Sequence, residues 1–342
     1  MTEMMKRIAL ASRPAGEPTA ENFRLEESAL PQPGTGEVLV RCHYMSLDPY
    51  MRGRMSDAES YAEPVALGET MTAGAVGEVI ASNHPRFAPG DFAFGMFGWA
   101  SHGVQPGDQL RKVDPQAAPI STALGVLGMP GLTGWSGLRA YGKPKAGETL
   151  VVAAATGPVG SMVGQIAKRA GCRVVGVAGG AEKCRIATET FGFDACIDHR
   201  GKDAKAMREA LAEACPGGID IYFENVGGAV LGGVLPLMNL HGRIIVCGMI
   251  AWYNGVEDDP TAQMPLAALW RRTLVKRLQI NGLLVGDHFH LFPDFAKEVA
   301  PLVASGEIAY LEDVAEGLEN APATFIKLLK GGNTGKQVVK LI

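Results

Sequence analysis

No two of the six cysteines form a CxxC pair, and none gather in a short lobe: Cys42, Cys172, Cys184, Cys196, Cys215 and Cys247 are scattered along 342 residues. That spacing argues against a structural zinc site. Several lie in apolar, strand-like runs, where a free cysteine acts as a small buried hydrophobe, and this fits a reducing compartment. Long hydrophobic runs are also missing. The N-terminal MTEMMKRIALASRPAGEP holds one short apolar stretch, broken at Arg13 and Pro14, too short for a signal-peptide core or a membrane span. The expectation is a cytoplasmic protein with no membrane partner. An excess of charge of one sign is absent too: 32 Lys and Arg against 36 Asp and Glu leave a formal charge of -4, with no electrostatic reason to expect nucleic acid. Internal repeats and low-complexity tracts are not found.

What is present suits a compact chain with a sizeable core, at 47% hydrophobic and 20% charged residues. A length of 342 residues exceeds what one core usually supports, so two domains are expected. The first hundred-odd residues read as short strands joined by Gly and Pro turns: FRLEESALP, GEVLVRCHYMSL, AGAVGEVIAS and GDFAFGMFGWASHGVQ. They suggest a small β-barrel-like domain. From about Thr149 the rhythm changes to apolar strands alternating with helix-length amphipathic segments, the mark of βαβ units. Six strand candidates follow, TLVVAAA, CRVVGVAG, ACIDH, IDIYFENV, RIIVCGMI and LQINGLLVG, enough for a complete dinucleotide fold. After Val285 come a helix candidate, DFAKEVAPLVASG, the segment EDVAEGLENAPATFIKLLKG and the strand-like KQVVKLI, a tail expected to return to the first domain.

The strongest local signal is TLVVAAATGPVGSMVGQIAKRAGCRVVGVAGG, a buried strand, a Gly turn, an amphipathic helix and a second strand without a gap. The turn spacing is Ala155-x-Gly157-x-x-Gly160, a dinucleotide fingerprint with alanine for its first glycine. Gly157 would let backbone approach a pyrophosphate, Gly160 would seat the helix on the strand, and the helix N-terminus, with Pro158 in its first turn, would offer amides to phosphate. The blander reading is a crossover whose glycines serve packing alone. At the end of the second strand, where NAD enzymes carry an acid for the ribose diol, stand Gly179 and Gly180 followed by Lys183. Lys183, with Arg200 after the next strand, can pair with a 2′-phosphate, which points to NADP(H). The alternative is that Lys183 is a solvated helix residue.

Together these blocks resemble the medium-chain dehydrogenase/reductase superfamily, in its zinc-independent branch of prostaglandin, curcumin and plant double-bond reductases. The likeness runs through YMSLDPYMRGRM, GMPGLTGWSGL, AAATGPVGSMVGQIAK, GGAEKC, FENVGG, VCGMIAWYN and GLENAPATFIKLLKGGNTGKQVV, nearly the whole chain, and GGAEKC with the GLENAP tail is most like the bacterial curcumin reductases. It implies an α/β fold, a doubly wound Rossmann domain with a parallel six-stranded sheet over 127–305, and a GroES-like β-barrel catalytic domain over 1–126 and 306–342. Zinc-dependent relatives carry a GHE motif where this chain has Gly68, Glu69 and Thr70. Cys42 with His43, and His288 with His290, make no closed metal site, so no metal is expected.

By resemblance the NADPH-binding residues are Thr156, Gly157, Pro158, Val159, Gly160, Gly179, Lys183, His199, Asn225, Cys247, Gly248, Met249, Tyr253, Leu283, Leu284, Val285 and Asn333. His199 departs from the tyrosine many relatives carry there, and Gly134-Trp135 departs from their Ala-Tyr. The activity implied is NADPH-dependent reduction of the carbon-carbon double bond of an α,β-unsaturated ketone or aldehyde, by a homodimer. Such a reaction needs a donor for the developing enolate oxygen. Tyr253, at the C-terminal end of a Rossmann strand, is the first choice and Tyr50 the second. Tyr50, Met51, Met129, Thr133 and Trp252 are expected to line the substrate pocket, with Trp99 as a further wall. Quinone reduction with NADPH and a non-catalytic NADPH sensor are the competing readings.

Overall fold

The computed structural model describes residues 4–255 and 266–342. The chain divides into two units, Met1–Gly128 with Glu312–Ile342, and Met129–Leu311. The first is β-rich. Strands β1 (Met4–Leu10) and β2 (Phe23–Ala29) pair antiparallel; β3 (Glu37–Ser46) leads through the short helix α1 (Met51–Arg54) to β4 (Ala75–Ser82), β5 (Phe92–Gly95), β6 (His102–Pro106) and β7 (Arg111–Val113). The apolar N-terminal stretch is therefore a strand, with Ile8 and Leu10 in the core. The run GDFAFGMFGWASHGVQ breaks into β5 and β6, because Gly98 turns the chain with φ 75°.

The second unit opens with α2 (Met129–Gly137) and then alternates strand and helix. In order these are β8 (Thr149–Ala153), α3 (Pro158–Arg169), β9 (Arg173–Ala178), α4 (Ala181–Glu189), β10 (Ala195–Asp198), α5 (Ala204–Ala214), β11 (Ile219–Glu224), α6 (Gly228–Val234), β12 (Met238–Val246), α7 (Leu266–Lys276), β13 (Gln279–Gly282) and α8 (Phe292–Ala304). The sheet runs β10-β9-β8-β11-β12-β13, every pair parallel, which is the doubly wound order with its reversal between β8 and β11. Near-continuous apolar strands follow from burial on both faces. Leu150, Val152, Ile221 and Phe223 face one core, and their neighbours Val151, Ala153 and Tyr222 the other. The chain then returns to the first unit. There β14 (Glu312–Glu316), α9 (Ala321–Leu329) and β15 (Lys336–Lys340) complete a seven-stranded sheet in the order β14-β15-β3-β4-β5-β7, with β6 also on β3.

Helix α3 lies close to its sheet because it has glycines where contact is tightest. A Cβ at Gly164 would fall 2.0 Å from the ring of Phe193, itself buried. In an exposed helix, alanine is about 1 kcal/mol better than glycine. Here Gly164→Ala is expected to lower stability by about 1–3 kcal/mol through overpacking. A denaturation midpoint raised by the substitution would contradict this account of the helix seat.

Candidate active site

The loops at the carboxyl ends of β8 to β12 carry most of the expected cofactor residues. After β8 the chain turns sharply at Ala154, which has φ 52° and so occupies the left-handed region disfavoured for alanine. The conformationally demanding residue is thus Ala154, just before the fingerprint; Ala155, the residue that replaces the first glycine of the motif, is fully buried. Gly157 caps α3 with extended backbone, and Pro158 follows in the first turn, where a missing N–H costs nothing. A Cβ at Gly160 would lie 2.3 Å from the carbonyl oxygen of Ala154, so the helix can begin this close to the strand only with glycine there. Thr156 is buried beneath the turn, with Val159 half-buried in the first helical turn. The result is a helix N-terminus set directly against a backbone turn, the arrangement that accepts phosphate oxygens.

At the end of β9 the geometry is more specific. The N–H of Gly180 donates to Oδ1 of Asp198 at 2.7 Å, and that of Arg200 donates to the same oxygen at 3.0 Å. These two amides hold the Asp198 carboxyl below the usual carboxylate range. Its charge is spent on backbone, and the side chains above it are basic. A Cβ built on Gly179 would sit 3.1 Å from Nε2 of His199, and one on Gly180 would sit 2.9 Å from Nη1 of Arg200. Partial desolvation, with the charges of Arg200 and Lys183 against the opposing Asp198, lowers the pKa of His199. His199 and Arg200 therefore form a cradle over two residues without side chains, with the charge of Lys183 acting on His199. That cradle fits a phosphate dianion better than a ribose diol.

Past β11, Nδ2 of Asn225 donates to the carbonyl of Ala153 at 2.9 Å and ties the ends of β11 and β8 together. Beyond β12, Cys247 is half-buried, its thiol pushed up to about 12 by burial, and Met249 is exposed. The N–H of Met249 donates to Oη of Tyr253 at 3.4 Å, and a Cβ on Gly248 would come within 3.2 Å of that oxygen. The phenol is thereby held beyond the carboxyl end of β12. Leu283 is buried with its amide on the carbonyl of Val246, Leu284 is exposed, and Val285 begins a 3₁₀ turn.

In the first unit, Tyr50 caps α1 and is half-buried. Burial, with the Asp48 carboxylate beside it, raises its phenol pKa well above the usual value, so the hydroxyl keeps its proton. Asn333 lies in the loop before β15, with Nδ2 on the carbonyl of Gly335 at 2.8 Å.

The expected pocket residues differ in burial and in contacts. Met51 is 0% exposed in the core of the first unit, and its sulfur accepts the N–H of Nε1 of the equally buried Trp99 at 3.5 Å. Thr133 is 5% exposed and donates its hydroxyl to the carbonyl of Met129, one turn back in α2, at 2.7 Å. Its polar atom serves the helix. Met129 is half-buried. Trp252 lies against Gly227 and faces an apolar hollow shared with Leu231 of α6, Leu269 of α7 and Ile280 of β13. The departure at Gly134-Trp135 serves packing: Gly134 meets Val159 and Met162 of α3, and Trp135 stacks edge-on to Phe295 of α8. His288 is buried against Tyr141, and among the described residues no group of three or more His, Cys, Asp and Glu is placed to hold a metal ion. Arg200 belongs to the cradle, and Asp198 binds the amides of Gly180 and Arg200. Arg200 was legible as a charge after the third strand; the amide-binding role of Asp198 had no local signal.

Comparison with known proteins bears on both units. Residues 6–113 match a family model described as the N-terminal domain of oxidoreductase, and residues 158–305 one described as zinc-binding dehydrogenase. The NADPH-dependent curcumin reductase of Escherichia coli is 53% identical over 338 residues, 98% of this chain and 96% of that one. The NADP(+)-dependent 2-alkenal reductase of Nicotiana tabacum is 43% identical over 90% of this chain and 88% of its own. Among solved structures, CurA from Vibrio vulnificus in complex with NADPH superposes with a TM-score of 0.93 at 50% identity, covering 98% of this chain and 99% of that one.

Proposed function

Because the chain belongs to the medium-chain dehydrogenase/reductase superfamily, in the zinc-independent branch of the curcumin, alkenal and prostaglandin reductases, we propose that it reduces the carbon-carbon double bond of α,β-unsaturated ketones and aldehydes with NADPH. The observation that carries the choice of cofactor is the cradle of His199 and Arg200 over Gly179 and Gly180, with the charge of Lys183 acting on His199. The glycine-seated turn at 154–160 would take the pyrophosphate, and Asn225, Gly248, Met249, Leu283 to Val285 and Asn333 would bound the rest of the cofactor. NADPH, when bound, supplies the hydride for the β-carbon of the enone.

The protein's own part is to orient the enone and to meet the negative charge that develops on its carbonyl oxygen. Tyr253, held at the end of β12, donates the hydrogen bond to that oxygen. Tyr50, whose phenol stays protonated across physiological pH, is the second donor. Residues 127–305 act as the NADP-binding domain, and 1–126 with 306–342 as the GroES-like catalytic domain. The test is NADPH consumption with simple enones, curcumin and a quinone, with products identified by mass. Saturated ketone is the expected product; consumption with the quinone alone would replace this reading by quinone reduction, and none with any substrate would leave a cofactor-binding protein.

The same reading includes a homodimer and a cytoplasmic location. Among the described residues β13 is an edge strand, paired with β12 alone, and α7, which precedes it, exposes Leu266, Trp270, Leu274 and Val275, the last three at 61%, 79% and 56%. An open edge beside an apolar helix face is the kind of surface a second copy covers. Sedimentation showing only monomer at micromolar concentration would sink the dimer. No helix of the described residues is long and apolar enough to cross a membrane. Recovery of the protein in the membrane fraction of its cells would contradict the location.

A further inference from the structure

The first unit contains a buried ion pair, one member of which, Asp48, lies beside Tyr50. Lys336, on β15, is 2% exposed and Asp48 is 7% exposed. Nζ of Lys336 donates to Oδ1 of Asp48 at 2.7 Å and to the carbonyl of Leu47 at 2.7 Å, while the hydroxyl of Ser46 donates to the other carboxylate oxygen. Glu312 adds negative charge nearby and opposes the desolvation that lowers the Lys336 pKa. The aliphatic stem of Lys336 packs on Gly125, where a Cβ would meet Cγ at 3.2 Å.

What the pair joins gives it meaning. Asp48 opens the turn that carries Tyr50: the N–H of Met51 donates to the carbonyl of Asp48 at 3.1 Å, and that of Gly53 to the carbonyl of Tyr50 at 3.0 Å. Lys336 closes the loop that carries Asn333, which is held from its other side by the N–H of Thr334 on Oδ2 of Asp313 at 3.2 Å. Two segments 288 positions apart in sequence, each with one proposed ligand-contacting side chain, thus share a single charged joint. Burying a lysine and an aspartate together is a poor way to gain stability, because desolvation consumes much of their attraction and two apolar side chains would serve as well. Fixed hydrogen-bond directions are what the charged pair supplies and an apolar pair lacks.

We propose that Asp48 and Lys336 are positioning residues, which hold the Tyr50 turn and the Asn333 loop in one register for binding enone and cofactor. The inference rests on the reading of Tyr50 and Asn333 given above. Its test compares wild type, Tyr50→Phe, the double variant Asp48→Leu/Lys336→Met, and Ser46→Ala, which loosens Asp48 without burying an unpaired charge. Each is assayed for melting temperature, NADPH affinity by fluorescence, and kcat and KM with an enone. A displacement of about 1 Å in a reacting group can cost about a hundredfold, so the double variant should melt close to wild type yet lose about ten- to a hundredfold in kcat/KM for the enone, with weaker NADPH binding. Ser46→Ala should lose less in the same direction, and it alone decides the matter if the double variant does not fold. Wild-type kcat, KM and NADPH affinity in whichever of these variants folds would overturn the proposal. So would a loss in the double variant with none in Tyr50→Phe and no change in NADPH affinity. Inactivity of wild type with every enone would instead remove the functional reading beneath it.

Discussion

Replacing Tyr253 with phenylalanine is expected to lower kcat for enone reduction by about a hundredfold, the loss typical when one preorganised donor to a developing oxyanion is removed. Hydride arriving at the β-carbon pushes charge onto the carbonyl oxygen, and this charge is far larger in the transition state than in the bound enone. A donor that meets it therefore acts on kcat more than on KM. The phenol lies at the carboxyl end of β12: its oxygen receives the N–H of Met249 at 3.4 Å, and a Cβ on Gly248 would come within 3.2 Å of it. Phenylalanine keeps the ring and removes only the hydroxyl, so the melting temperature should be close to that of wild type. Reduction of a quinone, which passes through no enolate, should be spared. Steady-state kinetics with both substrates gives the contrast. An unchanged kcat for the enone would pass the donor's role to Tyr50 and leave Tyr253 a packing residue.

The second large effect concerns cofactor choice. Lys183→Ala combined with Arg200→Ala is expected to raise KM for NADPH by at least about tenfold and to leave KM for NADH nearly unchanged. One hydrogen bond to a charged group is worth about 1.5–3 kcal/mol, and about 1.4 kcal/mol corresponds to a factor of ten. Either single substitution should give a smaller rise, since His199 and the remaining cation still face the phosphate. Asp198, engaged by the amides of Gly180 and Arg200, keeps the loop in shape when the Arg200 side chain is cut back. Binding titrations with both nucleotides would check this. An intact preference for NADPH in the double variant would place the phosphate reader outside the end of β9.

The interior of the second unit was written in local sequence. Strand runs such as TLVVAAA and IDIYFENV are apolar at successive positions because both faces of a parallel sheet are covered, and β8 and β11 divide their residues between two cores accordingly. The glycine spacing at 157 and 160 was legible because it reports a contact made within a few residues, Gly160 against the carbonyl of Ala154. Tertiary structure decided what distant segments settle together. It made a strand of the N-terminal stretch, whose Ile8 amide bonds the carbonyl of Trp99. It buried Met51 and Trp99 together in the core of the first unit, which their apolar character alone does not specify. It placed a left-handed residue at Ala154, which nothing in alanine announces. And it brought Lys336 to Asp48, because periodicity records which face of an element is buried, whereas the partner on the facing element is fixed only when the chain closes on itself.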